Sequence, residues 1–297
     1  MKKFFAAALL FVLAAGMTVQ AKKDVSFQMY SVRTLIGDAN LYAQNHETVL
    51  KDLAKMGYTS VEAANYGDGK FYGVTPEQFK ADVEAAGLKV LSSHTTRNLS
   101  DEEVKNHDFK AALEWWDQCI DAHKRGGFKY IVAPWCSVPK TLAELQTICE
   151  FYNEVGRRVK AAGMLFGYHN HSHEYQKVEG KDMMLDYMLQ HTDRDLVFFE
   201  MDVYWTVRGQ QSPVEYFNKY PGRFKLLHIK DHNEIGQSGM VGFDAIFNNT
   251  DKAGTENFIV ELEHASTPDI MKGMKESVDY LLKAKFVKAS YAPKAKK

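Results

Sequence analysis

The chain has 297 residues, of which 45% are hydrophobic and 12% aromatic, with 37 basic against 38 acidic side chains. That balance excludes a disordered chain and offers no basic surface to a polyanion, so nucleic acid is not an expected partner. Three cysteines, Cys119, Cys136 and Cys149, are an odd number, which excludes a fully paired disulfide framework and allows at most one bridge.

The N-terminus reads Met1-Lys2-Lys3, then an apolar run from Phe4 to Gly16, then Met17-Thr-Val-Gln-Ala21, the small-residue pattern of a signal-peptidase site. A run of about a dozen apolar residues is shorter than the roughly 20 that a bilayer-spanning helix requires. Residues 1–21 are therefore expected to be a cleaved signal peptide, and the mature protein to be periplasmic or secreted. The first cysteine lies far beyond the cleavage site, so no lipid or membrane attachment is expected. Residues 22–297 are of the length of one (β/α)8 barrel, roughly 250 residues.

Eight runs rich in β-branched and aromatic residues alternate with segments of helical periodicity, the pattern of βα units around a parallel sheet. In chain order the expected strands are Val25 to Tyr30, Ser60 to Ala64, Lys89 to His94, Tyr130 to Pro134, Leu165 to His169, Leu196 to Asp202, Phe224 to Lys230 and Phe258 to Glu263. Between them lie amphipathic stretches such as Glu47 to Met56, with apolar residues at three- and four-residue spacing. Glycine closes the helix before five of the strands, at Gly57, Gly87, Gly127, Gly163 and Gly254, where a left-handed cap is favoured. Thr75-Pro76-Glu77 carries the matching start signal, a hydroxyl cap followed by proline. The basic tail from Ala292 to Lys297 reads as a frayed end. The fold class is thus α/β, a single (β/α)8 TIM barrel.

In such a barrel the active site is built where strands end. Strand five ends Tyr168-His-Asn-His-Ser-His-Glu174, strand six Glu200-Met-Asp202, strand seven His228-Ile-Lys230-Asp231 and strand eight Glu261-Leu-Glu263. A lone strand-end histidine is usually a hydrogen-bonded structural group. Four successive strands each ending in a ligand type are hard to obtain by accident, and mixed nitrogen and oxygen donors suit one divalent ion such as Mn, Co, Zn or Mg. The expected ligands are His169, Asp202, His228 and Glu261. Strand alternation sends His169 and His171 to one side, which leaves either as the ligand and the other as a substrate contact. Gln28, Tyr30, Glu62, His94, Trp135 and Trp205 also fall at or just past strand ends and are expected to line a pocket. For the two tryptophans, rim packing is as common as stacking on a sugar. Lys230 and Asp231 are a candidate structural ion pair. Nucleotide-binding, flavin, serine-elbow and CxxC motifs do not occur.

At these strand ends, and over essentially all of residues 24 to 285, the chain resembles the xylose-isomerase-like barrel superfamily. The carrying motifs are Gln28-Met-Tyr-Ser-Val-Arg33, Tyr168 to Glu174, Met201-Asp-Val-Tyr-Trp205, Leu227-His-Ile-Lys-Asp231 and Val260-Glu-Leu-Glu263. The superfamily includes sugar-phosphate isomerases and epimerases, ketose 3-epimerases, inosose dehydratases and endonuclease IV. The resemblance implies metal ligands at Asp202, His228 and Glu261, with histidine where strand five usually supplies an acidic residue. It also implies proton transfer beside a metal-polarised carbonyl, for which His171, Glu174, Lys230 and Glu263 are the acid/base candidates.

Export favours an unphosphorylated sugar or glycoside over a sugar phosphate, since sugar phosphates are cytosolic. Some exported barrels of this kind resemble lyases for 3-keto-glycosides, so 1,2-elimination from such a substrate is the expected reaction. A sugar isomerase or epimerase is the alternative. A phosphodiesterase like endonuclease IV would need more ligands and a basic groove, and a non-catalytic sugar-binding barrel would need no metal. Oligomeric state has no signal in the sequence.

Overall fold

The computed structural model describes residues 22–292. The expected signal peptide and the last five residues of the basic tail lie outside the described residues. Eight parallel strands close into a barrel in chain order, β1 (Ser26–Gln28), β2 (Ser60–Ala63), β3 (Lys89–His94), β4 (Tyr130–Ala133), β5 (Leu165–His169), β6 (Val197–Asp202), β7 (Leu226–Lys230) and β8 (Asn257–Glu261). Outer helices follow the strands, including α1 (Ala39–Met56), α2 (Pro76–Ala85), α3 (Lys110–Arg125), α4 (Leu142–Ala161) and α5 (Ile270–Lys283).

The expected bounds of β3 and β5 are met at both ends, and the differences elsewhere bear on the site. β1 stops at Gln28 because its side-chain carbonyl accepts the amide of Tyr30, turning the chain into a short 3₁₀ helix over Met29–Val32. β8 stops at Glu261 because the amide of Leu262 donates to Ser31 Oγ instead of to the ladder. Tyr30 and Glu263 therefore stand on loops above the strands rather than within them.

The cap signals act as read. Thr75 Oγ1 accepts the amide of Gln78 at the start of α2. The five expected cap glycines all take positive φ, from 74° at Gly127 to 122° at Gly57, where a Cβ would strain the backbone. In α4, Thr141 and Glu144 form a capping box, and Leu145, Ile148, Cys149, Tyr152, Val155 and Val159 make a buried stripe against the strands.

Strand alternation divides the core in two. Residues facing the helices join one large cluster, whereas Tyr130, Val132, Phe198, Leu226 and Ile259 fill the barrel's interior. Gly167 on β5 makes room for Phe198, since a Cβ there would sit 2.5 Å from that ring. Such burial contributes about 1.5–3 kcal/mol per large side chain, and it closes the lower barrel to water. Above this plug the inward positions become polar. The three cysteines are all buried free thiols. Among the described residues no helix is long and apolar enough to cross a membrane.

Candidate metal centre

The register of the strands decides which polar side chains meet. Asp202 on β6 is level with His228 on β7, and Lys230 on β7 is level with Glu261 on β8. All four point inward because they continue the alternation of Phe198 and Leu226. Asp202 is also the N-cap of the helix Val203–Arg208. Its Oδ1 accepts the amide of Trp205 at 2.8 Å, which leaves Oδ2 buried without a hydrogen-bond partner.

His228 Nδ1 faces this oxygen at 3.9 Å and Glu261 Oε2 at 3.6 Å, beyond hydrogen-bond length, and has no partner of its own. Donor atoms of Asp202, His228 and Glu261 thus lie within 4.8 Å of one another.

Two orphaned buried atoms beside a third donor are what a cation would satisfy, and one nitrogen with two carboxylates suits a borderline divalent ion. Charge points the same way. Burial pushes the Asp202 carboxyl up to about 7 despite the pull of Lys230 and His228, so its anion lacks compensation. Burial also opposes ionisation of Glu261, but Lys230 and His228 outweigh it and hold that carboxyl well below the usual range. Lys230 Nζ bridges Glu261 at 3.0 Å and Glu263 at 2.8 Å beneath the ring of Trp205, whose centroid is 5.7 Å away. Asp231 is not its partner, contrary to the ion pair read from the sequence. That carboxylate instead accepts the amides of His232 and Gly236 and fixes the loop after β7.

Three of the four expected ligands form one group, and the fourth, His169, falls with His94, Glu200 and His228 in a second group whose donor atoms also lie within 4.8 Å of one another. His169 is level with Glu200, and its Nδ1 lies 3.2 Å from Glu200 Oε2, in the layer beneath the triad. The same layer holds His94, 2.6 Å from Glu200 and 3.1 Å from Glu62, and Gln28, whose amide donates to Glu62 at 2.8 Å. Gln28, Glu62 and His94 were expected to touch sugar. Gln28 and Glu62 are fully buried and the His94 side chain is 11% exposed, and the three are hydrogen-bonded to one another and to Glu200. Glu200 was overlooked among the candidate residues. Its signal was present, since it precedes Asp202 by two residues and so shares its face.

The rim holds the rest. His171 has left the strand, and its Nδ1 is buried without a partner. Its ring lies 5.0 Å from that of His169 and 5.7 Å from those of His173 and Trp205. Burial first, then the neighbouring His173, pushes its pKa down to about 4, so the imidazole is neutral at pH 7.

Glu174, an acid/base candidate in the sequence, is engaged within the protein. Its fully buried carboxylate accepts Tyr168 Oη at 2.7 Å and the amide of His171 at 2.8 Å. Because Tyr168 faces the helices, packed on Tyr152 of α4, Glu174 is a tether for the His171 loop. Replacing Tyr168 by Phe should cost about 1–3 kcal/mol in urea unfolding, the penalty of a buried acceptor losing its donor. A change below a few tenths would contradict the tether.

Tyr30 and Trp135 are 43% and 48% exposed on the loops after β1 and β4. A cavity of about 270 Å³ opens beside Glu263, between Ser31, Arg33 and His264. A larger one of about 640 Å³ lies to the side, against Leu99, Cys136, Ile148 and Phe151, and no triad residue lines it.

Comparison with known proteins agrees with this fold. The sequence profile of the family described as xylose isomerase-like TIM barrel matches residues 50–284. The chain belongs to that family. Within solved xylose isomerase-like barrels it is similar to a sugar phosphate isomerase/epimerase from Parabacteroides distasonis, with a TM-score of 0.81 and 34% identity over 94% of this chain and 100% of that one. It is 24% identical to the inosose dehydratase of Geobacillus kaustophilus over 203 residues, covering 62% of this chain and 61% of the relative's length. A 3-keto-D-glucoside 4-epimerase from E. coli, at 16% identity and a TM-score of 0.62 over 87% of this chain and 98% of that one, shares the fold.

Proposed function

We propose that this barrel is an exported, metal-dependent enzyme of carbohydrate metabolism that removes a proton beside a ketone, and that its reaction is 1,2-elimination from a 3-keto-glycoside. The observation that carries the reading is the free Nδ1 of His171 at the rim, beside the Asp202–His228–Glu261 triad. A divalent ion held by that triad would acidify the C–H next to a ketone. His171 Nδ1 takes the C2 proton, and the C–H electron pair forms a C1=C2 double bond as the C1–O bond breaks. The imidazolium so formed gives the proton to the departing oxygen, so one group serves as base and then as acid. The ammonium of Lys230, whose charged form its carboxylate neighbours favour against burial, bridges Glu261 and Glu263 and holds both carboxylates at the mouth. Trp205 covers Lys230 and His171 and keeps water from both.

An unphosphorylated substrate is supported by the basic groups at the mouth. Lys230 is spent on two carboxylates, and Arg33 donates to the carbonyls of Tyr30 and Glu263. A chromogenic 3-keto-glucoside tests the reading directly, through release of its aglycone. Epimerisation is the second reading, favoured by Glu263, whose side chain is 28% exposed on the far side of Lys230 and offers a second proton carrier. Export predicts that the mature chain recovered from the periplasm begins at Lys22. Intact Met1 on that material, read by N-terminal sequencing, would contradict it.

A further inference from the structure

The layer beneath the triad is more than packing. Five polar side chains from five strands, Gln28, Glu62, His94, His169 and Glu200, enclose the Nε2 side of His228, and the distances between them are those of hydrogen bonds. Donor atoms of His94, His169, Glu200 and His228 also lie within 4.8 Å of one another, but the separations of 2.6 to 3.2 Å across this cluster are those of hydrogen bonds, which hold protons in place.

We propose that Glu62 is the positioning residue of the metal centre, fixing His228 as a ligand through Nδ1. The inference rests on the reading of Asp202, His228 and Glu261 as the ligand set. When Nδ1 gives its lone pair to a metal, the one proton of the neutral ring sits on Nε2 and needs a buried acceptor. Glu62 Oε1 is 2.7 Å from Nε2. Among the described residues the other carboxylate oxygen within 4 Å of it is Glu200 Oε2, 3.5 Å away and already bonded to His94 at 2.6 Å. Without Glu62 the ring proton would be drawn to Nδ1, because that nitrogen faces the carboxylates of Asp202 and Glu261, and the tautomer so formed has no lone pair to offer.

Glu62 is itself held from two sides. The Gln28 amide donates to the same oxygen at 2.8 Å, and His94 approaches it at 3.1 Å while its ring stacks on His228, with centroids 4.9 Å apart and planes within 15°. Gln28 and Glu62 are level on the paired strands β1 and β2, and this presents the acceptor to His228 on β7 across the barrel. Gln28, Glu62 and His228 are fully buried, and this leaves the His228 ring one orientation.

The test uses the full mature chain and Zn²⁺ alone. Zinc affinity is measured by competition with a chromogenic chelator for the wild type and for Glu62→Gln and Glu62→Asp. The expected result is tight binding by the wild type, affinity weaker by about 10- to 100-fold in Glu62→Gln, the usual effect of losing an outer partner of a ligating histidine, and partial recovery in Glu62→Asp. Nitrogen-15 NMR of the zinc-loaded wild type should place the His228 proton on Nε2 in a strong hydrogen bond and the metal on Nδ1. That signature does not depend on the variants folding.

Unchanged affinity in Glu62→Gln, or zinc on Nε2 of His228, would overturn the inference while leaving the metal centre standing. Failure of the wild type to bind zinc or any other divalent ion would overturn the ligand set, and this inference with it.

Discussion

Replacing His228 by Ala abolishes retention of a divalent ion and activity, while far-UV circular dichroism stays that of a folded barrel. The expected loss of affinity exceeds about 100-fold, because even an outer partner of a ligating histidine is worth about 10–100-fold and His228 is itself a donor. The companion variant is Asp202→Asn rather than Ala. Asn keeps an oxygen for the amide of Trp205, so the cap on Val203–Arg208 survives, and only the charge facing His228 is lost. Ala at 202 would add a capping loss of about 0.5–2 kcal/mol and confuse the two effects. Metal content by elemental analysis decides the matter, and full occupancy in both variants would remove Asp202 and His228 from the ligand set.

The second large effect concerns reaction type. With a chromogenic 3-keto-glucoside in deuterated water, the wild type should release aglycone and leave a sugar with a C1=C2 double bond conjugated to the C3 ketone. His171→Ala should lower that rate by about 10²–10⁴-fold, the usual worth of a positioned proton carrier, with zinc affinity within a few-fold of wild type. Loss of metal binding in His171→Ala would instead make His171 the fourth ligand, the role left open between it and His169. Epimerisation has a different isotopic consequence. It returns a solvent proton to the opposite face, so a free ketose would gain deuterium at the inverted carbon without losing any group. Deuterium uptake of that kind, sensitive to Glu263→Gln and unaccompanied by aglycone release, would replace the elimination reading with the epimerase one.

The two sets of variants also separate the layers of the site. Asp202 and His228 act on metal retention directly, Glu62 acts on it through His228, and His171 leaves it intact while stopping turnover. If all four changed metal content alike, the mouth and the layer beneath it would be one cooperative network rather than a ligand set with a support.

The barrel itself was legible in the sequence, because each βα unit repeats a short β-branched run, a longer amphipathic run and a capping glycine. Those signals are local. The ends of β5, β6, β7 and β8 stood out for the same reason: a charged or imidazole side chain beside an apolar strand has to lie at an end or be paired. Asp202, His228 and Glu261 follow from that rule together with the resemblance to xylose isomerase-like barrels.

What only the tertiary structure decided is depth. Gln28, Glu62, His94 and His169 look like Asp202 and Glu261 in sequence, each a polar residue at or near a strand end. Closure and stagger of the barrel gather them on the Nε2 side of His228, where they bond to one another or to Glu200 rather than facing Asp202 and Glu261. Glu174 reads in the sequence as an acid/base candidate, and only the outward direction of Tyr168 on β5 reveals its carboxylate as a buried tether. The height of a side chain depends on register between strands far apart in the chain, and a local pattern carries direction in or out but no height.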